Sequence, residues 1–473
     1  MEDNSRETLG GPAPQQFRPA GEEAPGSVWP QCVAALIASL AYVSAGCTIG
    51  WTSPSLPLLN ATGYIELTAT EVAWVSGLTP LGAMFSPAPT GLLTAKLGHK
   101  ASFTCVAALY LGAWAILAAA RSAAVLCVAR FILGVASGVV FTITPTYIGE
   151  ISQAHIRGAL GSLAQLSATA GFLYQYVVGP WSSYVALAVA SAAVPALLLA
   201  GSLFIPDSPY QLLRRGRRAE ARRAFLWLRG KRDDSTGGDE FREMENEVTA
   251  MLKQEPSMKD LVANRATIRA LLLSQGLMTF QQLSGINAVL FFTETILSIG
   301  VGSLDPSIAT IIVGVVMLAA AAVTPLVVDR AGRRIMLLLS TSGMTLSLGI
   351  LGTFFYFTNI HADTSSFGFV PVLCLVFYII VYAAGIGPLA WAVSAELFAP
   401  IVRSKAASLT ATTCWVLCFL VTFFFNSLVE LFGSHVVFWT FAACCTAAGV
   451  FVYCLLPETK GRTLRQIQEL LEG

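Results

Sequence analysis

The sequence is poor in charge for its length. Asp, Glu, Lys and Arg make up 12% of its 473 residues, whereas hydrophobic residues make up 55%. A typical soluble domain carries about 25% charged residues. This scarcity excludes an ordinary soluble protein, and the mean hydropathy of +0.66 indicates that lipid surrounds most of the chain. The net charge of +1 gives no sign of nucleic-acid binding, and we expect no nucleic-acid partner.

The sequence also lacks the patterns of disulfide, metal and active sites. All ten cysteines fall in apolar segments without metal-ligand spacing, and the four histidines are scattered, so we expect no disulfide framework, metal or cofactor. We recognise no nucleophile with its base and no phosphate-binding loop, which argues against an enzyme. The first 29 residues have no short apolar core, so we expect no cleaved signal peptide.

What the sequence does have is twelve largely apolar segments of about 20 residues, the length that crosses a hydrocarbon core of about 30 Å. They are 31–53, 72–95, 101–120, 123–144, 158–180, 183–205, 266–291, 305–328, 335–357, 368–393, 404–428 and 433–456. This grouping predicts an all-α membrane protein built from two six-helix bundles. The predicted parts are an N-terminal tail (1–29), a first bundle (30–205), a helical loop (206–265), a second bundle (266–456) and a C-terminal tail (457–473).

The positive charges are unevenly distributed between the links. Residues 207–269 hold fourteen of the 29 Lys and Arg residues, whereas the alternate links hold none except Arg121. Because Lys and Arg accumulate in cytosolic loops, we expect both termini and the long loop to be cytosolic. We expect a monomer in the plasma membrane, with an internal membrane as the alternative.

Three links of the first bundle recur in the same order in the second. The paired positions are Gly98 with Gly332, Glu150 and Arg157 with Glu396 and Arg403, and Asp207 with Glu458. Charges that merely anchor loops would explain one such match, but three matches at nearly equal spacing indicate a duplicated unit. Such halves are related by an axis along the membrane normal, with a substrate site near midplane between them.

The chain carries longer motifs as well. They are Arg130 to Gly138, Pro145 to Glu150, Arg157-Gly158, Pro206-Asp207-Ser208-Pro209, Gln281 to Asn287, Asp329 to Arg334, Gly387-Pro388 with Trp391, and Pro457 to Arg462. Together they resemble the sugar porter family of the major facilitator superfamily over about residues 31–470. The end of the first span resembles those of insect facilitated trehalose transporters and intracellular-type animal glucose transporters. The resemblance implies transport by alternating access.

The resemblance also implies a sugar site. Gln165, Gln281 and Asn287 stand where the family binds sugar, and Gln282 lies beside them. Amides are costly in lipid unless they are paired, so they should face the bundle interior, where an amide can both donate to and accept from a sugar hydroxyl. Hydrogen bonding between helices is the alternative role. Trp391 resembles the tryptophan that stacks on the pyranose ring in relatives, and an interfacial aromatic is its alternative.

Two further groups have expected roles in gating. Gly and Pro loosen the backbone ladder of a spanning helix, so we assign hinges to Gly285, Gly385, Gly387 and Pro388. Charged residues at the cytosolic ends should form ion pairs across the two halves and bias the outward-open state, with solvated charges as the alternative. This network consists of Glu150, Arg157, Asp329, Arg330, Arg333, Arg334, Glu396 and Arg403.

The chain departs from its relatives at several positions. Ala95 and His99 stand where relatives carry an acid and an arginine. The ion-pair network of the first half therefore lacks one carboxylate, which weakens it. Met317, Ala383, Cys414 and Cys418 replace polar groups of glucose transporters, and these losses put plain glucose in doubt.

The sequence also bears on proton coupling and on glycosylation. Proton-driven relatives place an acid where Thr48 stands, and no ionisable acid lies deep in any span. We therefore predict facilitated diffusion (uniport) of a small neutral sugar, a hexose or a disaccharide such as trehalose. A proton-coupled symporter and a non-transporting sugar sensor are the alternatives. Asn60 begins a glycosylation sequon on the outer side.

Overall fold

The computed structural model describes residues 27–231, 238–252, 258–262, 264–300, 305–362, 367–398, 400–459, 466 and 469–471. Within these residues every regular element is a helix, as the apolar segments predict. The predicted N-terminal tail lies almost wholly outside the described residues, as do the side chains of Asp329 and Arg330.

The first half contains eight helices. They are α1 (Trp29–Gly50), α2 (Thr52–Thr62), α3 (Ala69–Met84), α4 (Pro87–Leu97), α5 (His99–Ala119), α6 (Ala123–Ile151), α7 (Ala154–Val178) and α8 (Tyr184–Ser202). Local chemistry sets several of their ends. Thr68 and Glu71 form a capping box that begins α3. Pro87 stands at the first position of α4, where its missing N–H needs no partner.

Within the described residues of the long loop, three short α-helices follow. They are α9 (Pro209–Arg214), α10 (Arg218–Leu228) and α11 (Gly238–Leu252). Phe225 of α10 packs on Phe241 of α11 in a small apolar core of their own, so the described part of the loop is helical, as the sequence predicts. Tyr210 donates a hydrogen bond to Glu247 at 2.9 Å. Burial, together with that carboxylate, raises the pKa of Tyr210 to about 12.

The described residues of the second half again form eight α-helices. They are α12 (Arg265–Leu283), α13 (Ile286–Gly300), α14 (Pro306–Ala331), α15 (Arg333–Asn359), α16 (Val370–Ala384), α17 (Ile386–Leu397), α18 (Pro400–Phe432) and α19 (Ser434–Leu455). Each half encloses a buried apolar cluster. A few first-half residues, among them Ile49, Phe172 and Tyr176, belong to the cluster of the second half. The two halves therefore pack directly against each other.

Nine stretches of the described chain are long and apolar enough to cross a membrane. The other three expected segments correspond to the broken pairs α3/α4 and α12/α13 and to α7, which carries polar Gln165 and Gln175. Two of these three, α7 and α12/α13, carry predicted sugar-binding residues.

One end of the molecule, here called the linker face, carries α9 to α11. Arg229 of α10 donates to the carbonyl of Ile151 at the end of α6, and Gln211 of α9 donates to the carbonyl of Thr94 in α4. These contacts place the linker helices against the ends of first-half helices. The other end, which carries the ends of α2 and α13, is here called the opposite face.

The duplicated motif has the same geometry in both halves. Asp207 accepts hydrogen bonds from the backbone N–H groups of His99 (2.8 Å) and Lys100 (3.4 Å) at the start of α5. Glu458 accepts equivalent bonds from Arg333 (3.2 Å) and Arg334 (3.1 Å) at the start of α15. A carboxylate at a helix N-terminus satisfies free donors and complements the helix dipole. The repeat seen in the sequence is therefore a repeated helix cap.

Glycine is required at both caps. Gly98 has φ +90° and Gly332 has φ +93°, in the left-handed region that side chains disfavour. A Cβ on Gly98 would lie 1.9 Å from Oδ2 of Asp207, so any larger residue would displace the capping carboxylate.

We expect the Asp207→Ala and Glu458→Ala variants to be less stable, by similar amounts. Each removes a cap worth about 1 kcal/mol, so the midpoint of thermal unfolding in detergent should fall by about 2 °C. Asp239→Ala is the matched control, because this carboxylate begins α11 but is fully exposed. A control shift as large as that of the two caps would contradict their assigned role.

Candidate substrate site and gates

The predicted amides lie where α12 ends and α13 begins. Gly285 separates these helices with φ +86°, and a Cβ there would lie 2.6 Å from Phe441. Gln281, Gln282 and Asn287 flank this break, and all three side chains are buried. The break directs amides from two successive helices toward one point, so Gly285 has the geometry expected of a hinge.

A second break faces the first. Gly385 ends α16 with φ −134° and ψ −101°, and a Cβ there would lie 2.2 Å from the Cβ of Ser340. The N–H of Ile386 donates to Oγ of Ser340 at 3.2 Å. Nε2 of Gln281 donates to the carbonyl oxygens of Gly387 (2.7 Å) and Ile386 (3.2 Å). Gln281 therefore connects the two broken helices.

The remaining amides continue the chain of hydrogen bonds. Nε2 of Gln282 contacts Oε1 of Gln281 at 3.3 Å and Sγ of Cys414 at 3.0 Å. Nδ2 of Asn287 donates to Oε1 of Gln282. The amides thus partner one another in this state, and Cys414 supplies a weak sulfur acceptor.

Gln165 and Trp391 make no described hydrogen bond with this cluster. Gln165 is exposed on α7, and Trp391 on α17 is 43% exposed. Pro388 lies in α17 three residues before Trp391. The structure therefore brings three of the five predicted sugar-binding residues together.

The face of α7 that carries Gln165 shows where the molecule is open. Residues 154, 158, 161 and 165 on this face are exposed. Phe172 and Tyr176, two and three turns further on, are buried against the second half. Because the exposed end of α7 is the one nearer the linker face, the cleft between the halves opens toward that face and closes toward the opposite face.

Backbone groups hold the opposite face closed. The φ and ψ of Phe292 are non-helical (−128° and 22°), so α13 is kinked there. The hydroxyl of Tyr176 donates to the carbonyl of Leu290 at 2.9 Å. The N–H of Glu294 contacts Oγ of Ser53 at 3.1 Å. We call these two contacts the opposite-face latch, because each joins the first half to the second.

Aromatic packing closes the neighbouring seam between α3 and α18. The rings of Trp74 and Phe423 lie 4.8 Å apart at 71°. A Cβ on Gly77 would lie 3.1 Å from the ring of Phe419, so a glycine permits the close approach of the two helices. Phe141 of α6 and Trp415 of α18 also meet, at 5.4 Å. Trp415 therefore contacts the other half rather than lipid alone.

The described contacts of the charged network do not cross between the halves. Glu150 lies 4.0 Å from Arg214 of α9 in the long loop and 3.8 Å from Nδ1 of His99, which is charged only when protonated. At the equivalent place of the second half, Glu396 lies 3.5 Å from Arg333. Among the described side chains, the expected ion pairs across the halves are not made in this state. The linker face is open, so the two sets of charges stand apart.

Three more arginines of the network have described contacts, and two of them repeat the same geometry. Arg157 donates to the carbonyl of Ser152 at 3.4 Å, and Arg403 donates to the carbonyl of Phe398 at 3.3 Å. Arg334 donates to the carbonyl of Tyr453. Each of these contacts lies inside one half.

Arg130 is fully buried in α6 and contacts only neutral groups. It donates to the carbonyls of Val75 (3.1 Å) and Thr48 (2.6 Å) and to Oγ1 of Thr52 (2.7 Å). Its guanidinium lies 5.0 Å from the ring of Trp51, a favourable cation–π distance. Among the described residues no carboxylate pairs with it. The position of Thr48 beside this cation was not foreseen from the sequence.

The other positions that differ from glucose transporters are buried, packed against apolar residues or hydrogen-bonded through the backbone. Met317 packs against the second-half cluster, Cys418 is buried, and the carbonyl of Ala383 accepts from Thr324 at 2.9 Å. None of these side chains adds a strong hydrogen-bonding group. Sequence reasoning also missed Ser53 and Tyr176, since a hydroxyl that bonds to backbone has no recognisable motif.

Comparison with known proteins gives the family. A model described as "Sugar (and other) transporter" matches residues 32–471. The facilitated trehalose transporter Tret1 of Drosophila virilis is 34% identical over 475 residues, covering 98% of this chain and 51% of that protein. The facilitated trehalose transporter Tret1 of Bombyx mori is 33% identical over 457 residues, covering 93% of this chain and 86% of that protein. The chain thus spans about half the length of the Drosophila relatives it matches.

Solved structures give the fold. The xylose transporter XylE from E. coli, in a partially occluded inward-open conformation, aligns with a TM-score of 0.77 at 21% identity over 92% of this chain and 99% of that chain. The major facilitator superfamily proton:xylose symporter XylE bound to 6-bromo-6-deoxy-D-glucose aligns with a TM-score of 0.75 at 23% identity. That alignment covers 93% of this chain and 99% of that chain. Membership of a transporter family agrees with the prediction of a carrier rather than an enzyme. The chain belongs to the sugar (and other) transporter family and has the major facilitator fold.

Proposed function

We propose that this chain is a facilitative sugar transporter that works by alternating access. The observation that carries the proposal is the facing pair of helix breaks at Gly285 and Gly385, joined by the buried amide of Gln281. Broken helices at midplane are typical of transporter binding sites. The site lies in a cleft that is sealed by the opposite-face latch and open toward the linker face.

The proposed substrate is a hexose or a disaccharide such as trehalose. Gln165, Gln281, Gln282 and Asn287 would bind its hydroxyls, and Trp391 would cover the ring as the cleft closes. Support comes from the amide chemistry and from relatives named for trehalose transport. Met317, Cys414 and Cys418 make the pocket less polar, which favours a substrate other than plain glucose.

The proposed mode is uniport. A proton-coupled carrier needs an ionisable group at depth that changes charge during transport. Here Arg130 has three hydrogen-bond acceptors and no described carboxylate beside it, and Thr48 bonds to the carbonyl of Ser44 (2.9 Å). This neutral surrounding leaves no partner for proton exchange, which favours facilitated diffusion over symport.

We further propose that the linker face is cytosolic. Its side carries most of the Lys and Arg residues, as cytosolic surfaces do. Both termini would then be cytosolic, in the plasma membrane, and the two bundles would comprise residues 30–205 and 266–456. Asn60, which is exposed near the end of α2 on the opposite face, would be available for glycosylation.

Binding and flux measured on the same preparation test the function. The purified chain in proteoliposomes should take up labelled glucose, trehalose or another polyol with saturation. The same sugar should raise the midpoint of thermal unfolding of the detergent-solubilised protein. A sugar that stabilises the protein but does not enter the vesicles would favour the membrane sensor, and neither binding nor uptake of any sugar would exclude the proposal.

A further inference from the structure

A groove of about 660 Å³ lies on the linker face outside the cleft between the halves. It is bounded by the start of α5, the residues that follow α8, and α9 and α10. None of the predicted sugar-binding or hinge residues lines it. The groove therefore needs an explanation separate from transport.

The membrane-side wall of the groove is apolar and exposed. Phe204, just beyond α8, is 77% exposed, and Leu97 at the end of α4 is 43% exposed. Both residues lie where spanning helices end on the linker face. Large apolar side chains at this level contact acyl chains next to the headgroup layer. This wall therefore suits a hydrocarbon chain.

The linker-side wall is basic. Arg223 of α10 lines the groove, is exposed, and has no ion-pair partner within the described residues. Lys100 of α5 donates to the carbonyl of Leu203 at 2.7 Å, and none of the ion pairs among the described side chains includes it. Both cations border the groove without a carboxylate of their own.

The two acidic residues that border the groove already accept hydrogen bonds from other groups of the chain. Glu220 accepts two hydrogen bonds from Arg217, at 2.6 and 2.7 Å. Asp207 accepts from the N–H groups of His99 and Lys100 as the cap of α5. The charged side chains that line the groove, Lys100, Arg217 and Arg223 against Asp207 and Glu220, therefore leave one net positive charge, which favours an anion from outside the chain.

An interfacial aromatic completes the arrangement. Trp227 lies one turn after Arg223 on α10, lines the same groove, and is 41% exposed. Tryptophan concentrates at headgroup level because one part of its ring system is apolar and another donates hydrogen bonds. Arg223 and Trp227 thus present a charged and an amphipathic side chain on one face of α10.

We propose that this groove binds one anionic phospholipid from the leaflet on the linker face. Its phosphate lies between Lys100 and Arg223, and an acyl chain follows the wall of Phe204. Basic pockets beside spanning helices on the cytosolic side bind anionic headgroups in this way. By the orientation proposed above, the leaflet is the cytosolic one. The lipid ties α10 to the start of α5, which lies beside the capped end of the first-half repeat.

Lipid titration followed by native mass spectrometry tests the proposal. The delipidated full chain in detergent is titrated with dioleoyl phosphatidylglycerol and, separately, with dioleoyl phosphatidylcholine. Each lost basic contact weakens binding of the anionic lipid about fivefold, so Lys100→Gln with Arg223→Gln together weaken it roughly 25-fold. Arg242→Gln is the matched control, since Arg242 is an exposed arginine on α11 outside the groove. Phosphatidylcholine binding should not change in any variant.

Three results would overturn the proposal. The double variant could bind phosphatidylglycerol as tightly as the unchanged chain, or Arg242→Gln could weaken it equally. Glycerol phosphate, which lacks acyl chains, could displace the lipid at equal concentration, which would indicate a simple phosphate site. If the double variant does not fold, Arg223→Gln alone is decisive, because this exposed side chain has no described partner. Its expected loss is about fivefold.

Discussion

Replacing Gln281 with alanine should reduce sugar uptake by at least about 30-fold. The side chain is 2% exposed and donates to the carbonyls of Ile386 and Gly387 across the two helix breaks. Its loss leaves buried carbonyls without their donor, at about 1–3 kcal/mol, and removes the amide proposed to bind the sugar. Initial rates of labelled sugar uptake into proteoliposomes measure the effect.

Gln275→Ala is the matched control for this variant. Gln275 lies on the same helix, α12, and its amide donates only to Oγ1 of Thr410 at 3.4 Å. Uptake by this variant should stay within about twofold of the original rate. Thermal unfolding separates the two roles of Gln281. If the Gln281→Ala variant is still stabilised by sugar as strongly as the unchanged chain, the amide holds helices together and does not bind substrate.

Removing the opposite-face latch should open that face. Tyr176→Phe combined with Ser53→Ala deletes both side-chain contacts between the halves described at the kink of α13. Each hydrogen bond contributes about 1 kcal/mol, so the equilibrium should shift by roughly 30-fold toward states open on the opposite face. The readout is Ile49→Cys, because Ile49 is 7% exposed and packs in the second-half cluster. Its labelling by a water-soluble thiol reagent should accelerate by a similar factor.

Tyr174→Phe is the control for the latch. Tyr174 lies on the same helix, but its hydroxyl donates to the carbonyl of Ala190 within the first half, at 2.9 Å. This variant should leave labelling at residue 49 unchanged. Equal acceleration in the control, or none in the latch variant, would show that the two contacts do not hold the face closed.

The repeated fold was predictable because its signals are local. Apolar length identifies most spans, and Gly98 and Gly332 with their capping carboxylates mark the duplicated unit in the sequence itself. The helix breaks at Gly285 and Gly385 were predictable for the same reason. The family model and the solved structures agree with this prediction of the fold.

The ion-pair partners and the contacts that close the opposite face were not predictable, because they depend on conformation and on backbone groups. The charges of Glu150 and Glu396 were expected to bridge the halves, yet their described partners lie in the same half or in the long loop, in a state that is open at the linker face. Sequence gives residue type but not conformational state. Ser53 and Tyr176 bond to backbone groups near a kink at Phe292, and such groups leave no pattern in the sequence.

Counterflow tests the central claim of facilitated alternating access most directly. Proteoliposomes loaded with unlabelled trehalose or glucose are diluted into a trace of the labelled sugar, with and without an imposed proton gradient. A carrier whose site faces one side at a time produces a transient excess of label inside, and a uniporter gives the same excess under either condition. A lasting accumulation driven by the proton gradient would contradict uniport, and the absence of any overshoot would contradict alternating access.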